Sequence, residues 1–453
     1  MNPINNNQEY TLHIEDMTHT GEGVGKVNRF TVFVDESIPL DQVKAKIVQV
    51  KKNYALGELK EIIVPSPYRI QPTCEYFEKC GGCQTQNIEY HYQLRLKEKH
   101  VLHSLQKLGG IDTNAIDFKP IIGMKIPFNY RNKAQYKLNK EGIGFYAKKS
   151  HDIIPVEKCS IQSKCSENTM AHLSRFIQEY KISIYDEKTH QGVLRGIVER
   201  VSTINHDIML ILVLNAKHFK YKKELIHFVQ RNLPAVRSLN FNFNLKKTNV
   251  VLSQENQLVY GREKIQDGIG DLKYEISPLS FFQVNPIQTK VLYDQVKTYA
   301  GLTGKETVFD IYCGMGTIGL YLAKEAQRIY GIEIVPQAIK DAQANAKLNG
   351  ITNTQFIAGK AEEKLPLLFK EGICADVVIV DPPRKGCDSA LLQTILTMVP
   401  DRIIYVSCNP GTLARDLKVL VEGGYHIHSI QPVDMFPHTM HVETVVLMSR
   451  VEK

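Results

Sequence analysis

No stretch of this sequence is long and apolar enough to cross a bilayer as a helix, which takes about 20 consecutive apolar residues. A helical membrane protein is therefore not expected. The opening residues, Met1-Asn2-Pro3-Ile4-Asn5-Asn6-Asn7, lack the basic and apolar segments of a secretory leader, so the expected compartment is the cytoplasm. Internal repeats and low-complexity linkers are missing too, which argues against a repeat architecture. A disulfide framework is not expected either. Nine cysteines, an odd number in a large chain of this kind, point to metal binding or catalysis. What the sequence does have is bulk: 453 residues, 43% of them hydrophobic, exceed one ordinary core and imply two or three domains.

The net charge of +8 is unevenly spread. Lys and Arg against Asp and Glu number 7 and 9 in residues 1–66, 14 and 7 in 67–150, 17 and 12 in 151–270, and 18 and 20 in 271–453. All of the basic excess lies in the middle. A polyanionic substrate such as RNA would use such a surface, and a solvated Lys-rich face with no partner explains the same numbers.

Residues 9–64 alternate apolar and polar side chains in short runs around 10–14, 29–34 and 43–50, with a glycine-rich bend at Thr20-Gly21-Glu22-Gly23-Val24-Gly25-Lys26. Short strands with turn signals between them read as a small closed barrel. Through Gly21-Glu22-Gly23-Val24-Gly25 and the strand after it, the segment resembles the TRAM module, an OB-like barrel, and that resemblance implies RNA binding by a unit spanning 1–66. A central basic unit, 67–270, would follow. It carries Cys74, Cys80 and Cys83, with Cys159 much later. Thiolates suit zinc or iron-sulfur clusters. Zinc usually takes two close pairs, so three clustered cysteines and one distant partner fit a 4Fe-4S cluster better. Cys165, six residues past Cys159, is an alternative fourth ligand. Residues 93–108 read as an amphipathic helix stopped by Gly109-Gly110. In 128–137, aromatic and basic residues interleave, so Arg131, Lys133 and Gln135 are candidates for RNA contact, or members of a strand with one wet face. Runs at 192–201 and 208–214 suggest strands of a mixed α+β middle domain.

From about residue 305, apolar strands at 307–312, 328–333, 354–358, 375–380 and 402–406 alternate with helical stretches. That alternation predicts a Rossmann-like, doubly wound α/β catalytic domain over 271–453. Its first strand ends in Asp310-Ile311-Tyr312-Cys313-Gly314-Met315-Gly316-Thr317-Ile318-Gly319, and its second in Glu333. A glycine turn followed by a carboxylate on the next strand suits a nucleoside, with Glu333 on ribose hydroxyls. The dinucleotide pattern is met only loosely by Gly314, Gly316 and Gly319, whereas Asp310 and Asp381-Pro382-Pro383 are methyltransferase features.

The last strand stops at Ser407-Cys408-Asn409-Pro410, which presents a thiol at a strand end. Carbon 5 of a pyrimidine is a poor nucleophile and needs a thiolate at C6 to generate an enolate. Cys408 is the candidate nucleophile and Glu443 the candidate base for the C5 proton. An aromatic after Asp-Pro-Pro, expected for amino-group methylation, is replaced by Arg384.

Together with Ser280-Phe281-Phe282-Gln283-Val284-Asn285 and His441-Val442-Glu443, these motifs resemble the RNA uracil-5-methyltransferase family over nearly the whole chain, most closely its bacterial 23S ribosomal RNA branch. The resemblance implies that Gln283, Tyr312, Gly314, Glu333 and Asp381 bind S-adenosylmethionine, and that Cys74, Cys80, Cys83 and Cys159 hold a 4Fe-4S cluster. It also implies a single-stranded loop or remodelled stem-loop of 23S rRNA as partner, with the target base extruded, and no obligate protein partner. Thr317 and Lys360 depart from the family pattern near the cofactor. The Cys-x5-Cys-x2-Cys spacing departs from that of methylthiotransferases. A transfer-RNA uracil-5-methyltransferase and a non-catalytic RNA-binding or ribosome assembly factor are the alternatives.

Overall fold

The computed structural model describes residues 4–450. The expected outer limits at 1 and 453, and the opening Met1-Asn2-Pro3, lie outside the described residues.

Five strands, Glu9–Met17, Gly23–Val27, Phe30–Val34, Gln42–Val50 and Tyr54–Val64, close into a barrel in which the fifth sits between the third and fourth. Alternation explains the closure: Val43, Ala45 and Ile47 turn inward with Leu12, Ile14, Val32 and Val34. The glycine-rich bend is shorter than expected, because Gly23 and Gly25 lie inside a strand. Their lack of a side chain serves close packing: a Cβ would stand 2.1 Å from Ser37 Oγ at Gly23, and 2.5 Å from the His13 carbonyl oxygen at Gly25. The turn itself is at Gly21, where φ is +95°.

A seven-stranded sheet follows, in the order Asn256–Gly261, Val236–Phe243, Ile208–Leu214, Leu194–Val201, Lys133–Leu138, Ile143–Tyr146, Ile153–Pro155. Helices Cys165–Glu179 and Lys222–Asn232 cover one face through Met170, Leu173, Phe176, Leu225 and Val229. From the other face, Val198, Met209, Ile211 and Val213 enter the core of the C-terminal half. Burial on both faces is why 208–214 is an unbroken apolar run. Lys133–Leu138 has one drier and one wetter face, as a strand covered on one side should.

The eight-stranded sheet runs Thr354–Ala358, Arg328–Glu333, Thr307–Ile311, Val377–Val380, Arg402–Ser407, Glu443–Arg450, Tyr425–Val433, Asp117–Phe118. Its first five strands are parallel, and Glu443–Arg450 is antiparallel to both neighbours. Successive side chains go to opposite faces. Val308, Ile329, Val377, Ile379, Ile404 and Val445 pack with Leu292, Tyr293 and Val296 of helix Pro286–Ala300. Phe309, Ile311, Val378, Ile403 and Val446 pack with Val101 and Leu105 of helix Tyr90–Lys107 and with helices Ser389–Met398 and Pro410–Glu422. Each fully buried aliphatic contributes about 1.5–3 kcal/mol, so this two-faced core holds the strand ends in register. Helix Tyr90–Lys107 and strand Asp117–Phe118 thus join the C-terminal sheet, and the paired strands Ile265–Ile269 and Leu272–Ile276 straddle residue 270.

Candidate active site

The strand order reverses beside Thr307–Ile311, the switch point at which open α/β sheets form a ligand crevice outside the carboxyl ends of their parallel strands. Asp310 lies just inside it, 1% exposed, and its Oδ2 accepts from the Gly319 amide at 2.8 Å. Its Oδ1 has no partner. Burial, opposed by the Gly319 bond and helped by the neighbouring Asp381 and Glu333 carboxylates, raises the Asp310 carboxyl to about 7. Tyr312 follows in the left-handed region at φ 64°, which turns the chain out of the sheet. Gly314 is also left-handed, at φ 55°, and a side chain there would point into open space. Its amide donates to Glu333 Oε2 at 3.2 Å, while Glu333 Oε1 accepts from Val335 at 2.9 Å. Glycine is required at 319 for another reason: a Cβ would stand 2.9 Å from Asp310 Oδ2 and 3.0 Å from Ile329.

Asp381 leaves the fourth parallel strand with its amide on the Ile311 carbonyl. Burial moves its carboxyl up to about 7. Three carboxylates, Asp310, Glu333 and Asp381, therefore surround one glycine turn. Gln283 is buried in the loop before Asn285, whose side chain caps helix Pro286–Ala300 at Gln288 and also donates to the Met435 carbonyl. Thr317 keeps its hydroxyl on Tyr293 at 2.8 Å, and Lys360 is exposed and paired with Glu363 at 3.1 Å.

The register of the sheet brings Cys408 and Glu443 together. Ser407 pairs with Thr444, so the residue after one strand and the first residue of its antiparallel neighbour share an edge. Asn409 caps helix Pro410–Glu422 through the Gly411 amide and directs Cys408 out of the strand. Burial pushes the Cys408 thiol up to about 12, with the Glu443 and Asp381 carboxylates adding to it and the Arg384 guanidinium opposing. Glu443 is 5% exposed, and burial raises its carboxyl well above the usual range, with Asp381 adding and Arg384 opposing. Among the described residues, the Arg384 guanidinium acts on both groups. Its place directly after Asp-Pro-Pro, where the sequence shows only a missing aromatic, is the signal that marks it.

A second constellation lies in a cavity of about 440 Å³ lined by Cys74, Cys80, Cys83, Cys159, Arg131 and Lys133, with Gln135 and Phe281 also on its wall. Burial raises all four thiols, Cys83 to about 12, and neighbouring cysteines add to the effect at Cys80, Cys83 and Cys159. Among the described residues, no group of three or more His, Cys, Asp or Glu is placed to hold a single metal ion. Cys165 does not line this cavity; it begins helix Cys165–Glu179 and packs on the middle core. Burial lowers Lys133 to about 7, with the Arg200 and Arg131 cations adding to the effect. Among the described residues no helix is long and apolar enough to cross a membrane.

Residues 90–451 match the family model described as tRNA (Uracil-5-)-methyltransferase, and residues 3–60 match that of the TRAM domain. An uncharacterized RNA methyltransferase of Clostridium acetobutylicum is 46% identical, covering 100% of this chain and 99% of its own. One of Bacillus cereus is 48% identical over 100% of this chain and 98% of its own. Among solved structures, the Pyrococcus abyssi tRNA (uracil-54, C5)-methyltransferase in complex with S-adenosyl-L-homocysteine superposes with a TM-score of 0.79 at 29% identity, over 97% of this chain and 100% of that one.

Proposed function

Because this chain belongs to the tRNA (uracil-5-)-methyltransferase family, we propose that it methylates C5 of a uridine in 23S rRNA, using S-adenosylmethionine and a covalent Cys408 adduct. The observation that carries the reading is the meeting of Cys408 and Glu443 beside a crevice ringed by Asp310, Glu333 and Asp381. A dinucleotide would bring a pyrophosphate to these three carboxylates. A sulfonium ligand brings a positive charge instead, which relieves their mutual repulsion, and ribose hydroxyls that Glu333 can accept from. Gln283, Tyr312 and Gly314 complete the proposed cofactor set.

Cys408 Sγ adds to C6 of the uracil, and the electron pair of the 5,6 double bond moves onto C5 and its carbonyl. C5 takes the methyl group and S-adenosylhomocysteine departs. Glu443 then removes the C5 proton; the C–H pair re-forms the double bond, the C6–S bond breaks, and sulfur leaves as thiolate. A buried carboxyl with a raised pKa is a strong base once ionised, which suits this step. Arg384 favours the thiolate and the carboxylate, opposing the burial that raises both groups.

Cys74, Cys80, Cys83 and Cys159 would hold a 4Fe-4S cluster. The fit rests on four thiols that line one cavity, the soft donor set that such a cluster takes. Such a group would bind the segments around 74–83 and 159 together, and methyl transfer by the route above needs no electron from it. Arg131, Lys133 and Gln135 beside it are proposed RNA contacts. The domain division at 1–66, 67–270 and 271–453 and a cytoplasmic location belong to the same proposal.

Transfer RNA is the second reading, favoured by the extended similarity to an enzyme whose description names that substrate. Incubation with labelled S-adenosylmethionine and separate unmodified 23S rRNA and tRNA pools, followed by nucleoside mass analysis, decides between them. The proposal expects 5-methyluridine in rRNA, and its appearance in tRNA alone would transfer the activity to the second reading.

A further inference from the structure

The loop between strands Tyr425–Val433 and Glu443–Arg450 delivers Glu443, and it is held from outside at several points. Asp434 is paired with the buried Lys97 at 2.5 Å and accepts from the Tyr90 hydroxyl at 2.7 Å. The Pro437 carbonyl accepts from Tyr130 at 3.0 Å. Closer to the base, Gln93 accepts from the His438 amide at 3.1 Å, and Gln84 reaches further along the loop toward Glu443. The backbone amides of Gln84 and Thr85 donate to the His438 carbonyl at 2.8 and 3.1 Å. The Gln84 side-chain carbonyl accepts from the Met440 amide at 3.0 Å, three residues before Glu443. His438 is 4% exposed with φ at 65°, a conformation that a bulky residue adopts only where surrounding bonds dictate it.

Gln84 is also where three parts of the molecule meet. It directly follows Cys83, which lines the thiol cavity. On its other side, the barrel turn at Gly21 approaches so closely that a Cβ there would stand 3.0 Å from Gln84 Cβ. The glycine of the barrel motif thus permits the contact, and the glutamine passes it on to the base-bearing loop.

We propose that Gln84 is a positioning residue for the proton-removal step, locking barrel, cysteine loop and the segment ahead of Glu443 into one arrangement. This deepens the uracil-5 reading and rests on it. Cys408 is reached through a different strand, so a fault at Gln84 leaves addition and methyl transfer intact and slows release. The methylated RNA then stays attached to Cys408.

Gln84→Met keeps length and packing but removes the acceptor, Gln84→Glu keeps the acceptor, and Glu443→Gln blocks release directly. Each variant is mixed with S-adenosylmethionine and unmodified rRNA or tRNA, whichever the wild type methylates. The protein–RNA adduct surviving denaturing electrophoresis and the rate of free 5-methyluridine RNA are then measured. Loss of one hydrogen bond in the loop corresponds to about threefold to tenfold. Gln84→Met is expected to accumulate adduct and slow release by that factor with RNA affinity unchanged, and Gln84→Glu to behave as wild type. Should Gln84→Met be unstable, Gln84→Asn, which withdraws the acceptor by one methylene, gives the same test. Wild-type adduct levels in the acceptor-deleted variant, alongside strong adduct in Glu443→Gln, overturn the role of Gln84. Failure of Cys408→Ala to abolish methylation, with no adduct even in Glu443→Gln, overturns the underlying reading instead.

Discussion

Replacing Asp310 by Asn tests the electrostatics of the crevice without touching the reacting groups. The wild-type carboxyl is 1% exposed, has one hydrogen bond and one unpartnered oxygen, and faces Asp381 and Glu333. Its pKa rises from an ordinary 3.8 to about 7 on folding, chiefly by burial. Below pH 4 both the folded and unfolded chains carry the proton, so Asp and Asn differ little. Between pH 4 and 7 the unfolded chain releases a proton that the folded protein keeps, and wild-type stability falls. Above pH 7 the full cost of the ionised group remains, about 4 kcal/mol for a shift of this size. An amide pays no such cost, and its carbonyl still accepts from Gly319. For a cooperative unit of 150–250 residues, 1 kcal/mol is worth about 2–4 °C. Thermal melts of the ligand-free protein at pH 4, 5, 6, 7 and 8 should therefore show near-equality at acid pH. The Asn variant should then gain steadily, to roughly 8–16 °C at pH 8. Binding of S-adenosylmethionine by the same variant should weaken, because a charge that opposes folding is the charge that meets the sulfonium. A melting difference that does not change with pH, or that widens toward acid, would refute the reasoning.

Alkylation of Cys408 by a neutral reagent should accelerate about tenfold per pH unit from 7 to 9, because the thiol is held up near 12 by burial and facing carboxylates. Arg384→Gln should slow it throughout that range, as followed by peptide mass analysis. Asp416 accepts from Tyr405 at 2.6 Å and from the Cys387 amide at 2.7 Å, tying the loop after Asp381 to the helix after Cys408. Asp416→Ala leaves both donors buried and unpaired, and urea denaturation should show a loss of about 2–5 kcal/mol. Iron and sulfide analysis of anaerobically purified protein should find Cys165→Ser equal to wild type and Cys83→Ser depleted, since Cys83 lines the thiol cavity and Cys165 does not.

Much of this arrangement is legible in the sequence because the chemistry sits at strand ends, where apolar runs stop. The strands 328–333 and 354–358 begin and end where their apolar runs do, and Cys408 follows its strand directly. Local pattern fails where packing decides. Gly23 and Gly25 read as a bend, and only the proximity of Ser37 and His13 shows them to be strand residues. The two-residue strand Asp117–Phe118 has too few residues to show a period and exists by pairing with Ser429 and Ile430. Arg384 matters through Cys408 and Glu443, and Gln84 through Met440, partners on other elements that no local spacing reveals.

The central claim is that Cys408 forms a bond to the pyrimidine before the methyl group is transferred. Its most direct test is RNA containing 5-fluorouridine, in which Glu443 has no proton to remove from C5. With S-adenosylmethionine present, mass analysis of the digested complex should find Cys408 bearing a methylated fluorouridine nucleotide, and Cys408→Ala should give none. Methylation of ordinary RNA without any such adduct, or an adduct on a different cysteine, would contradict the account.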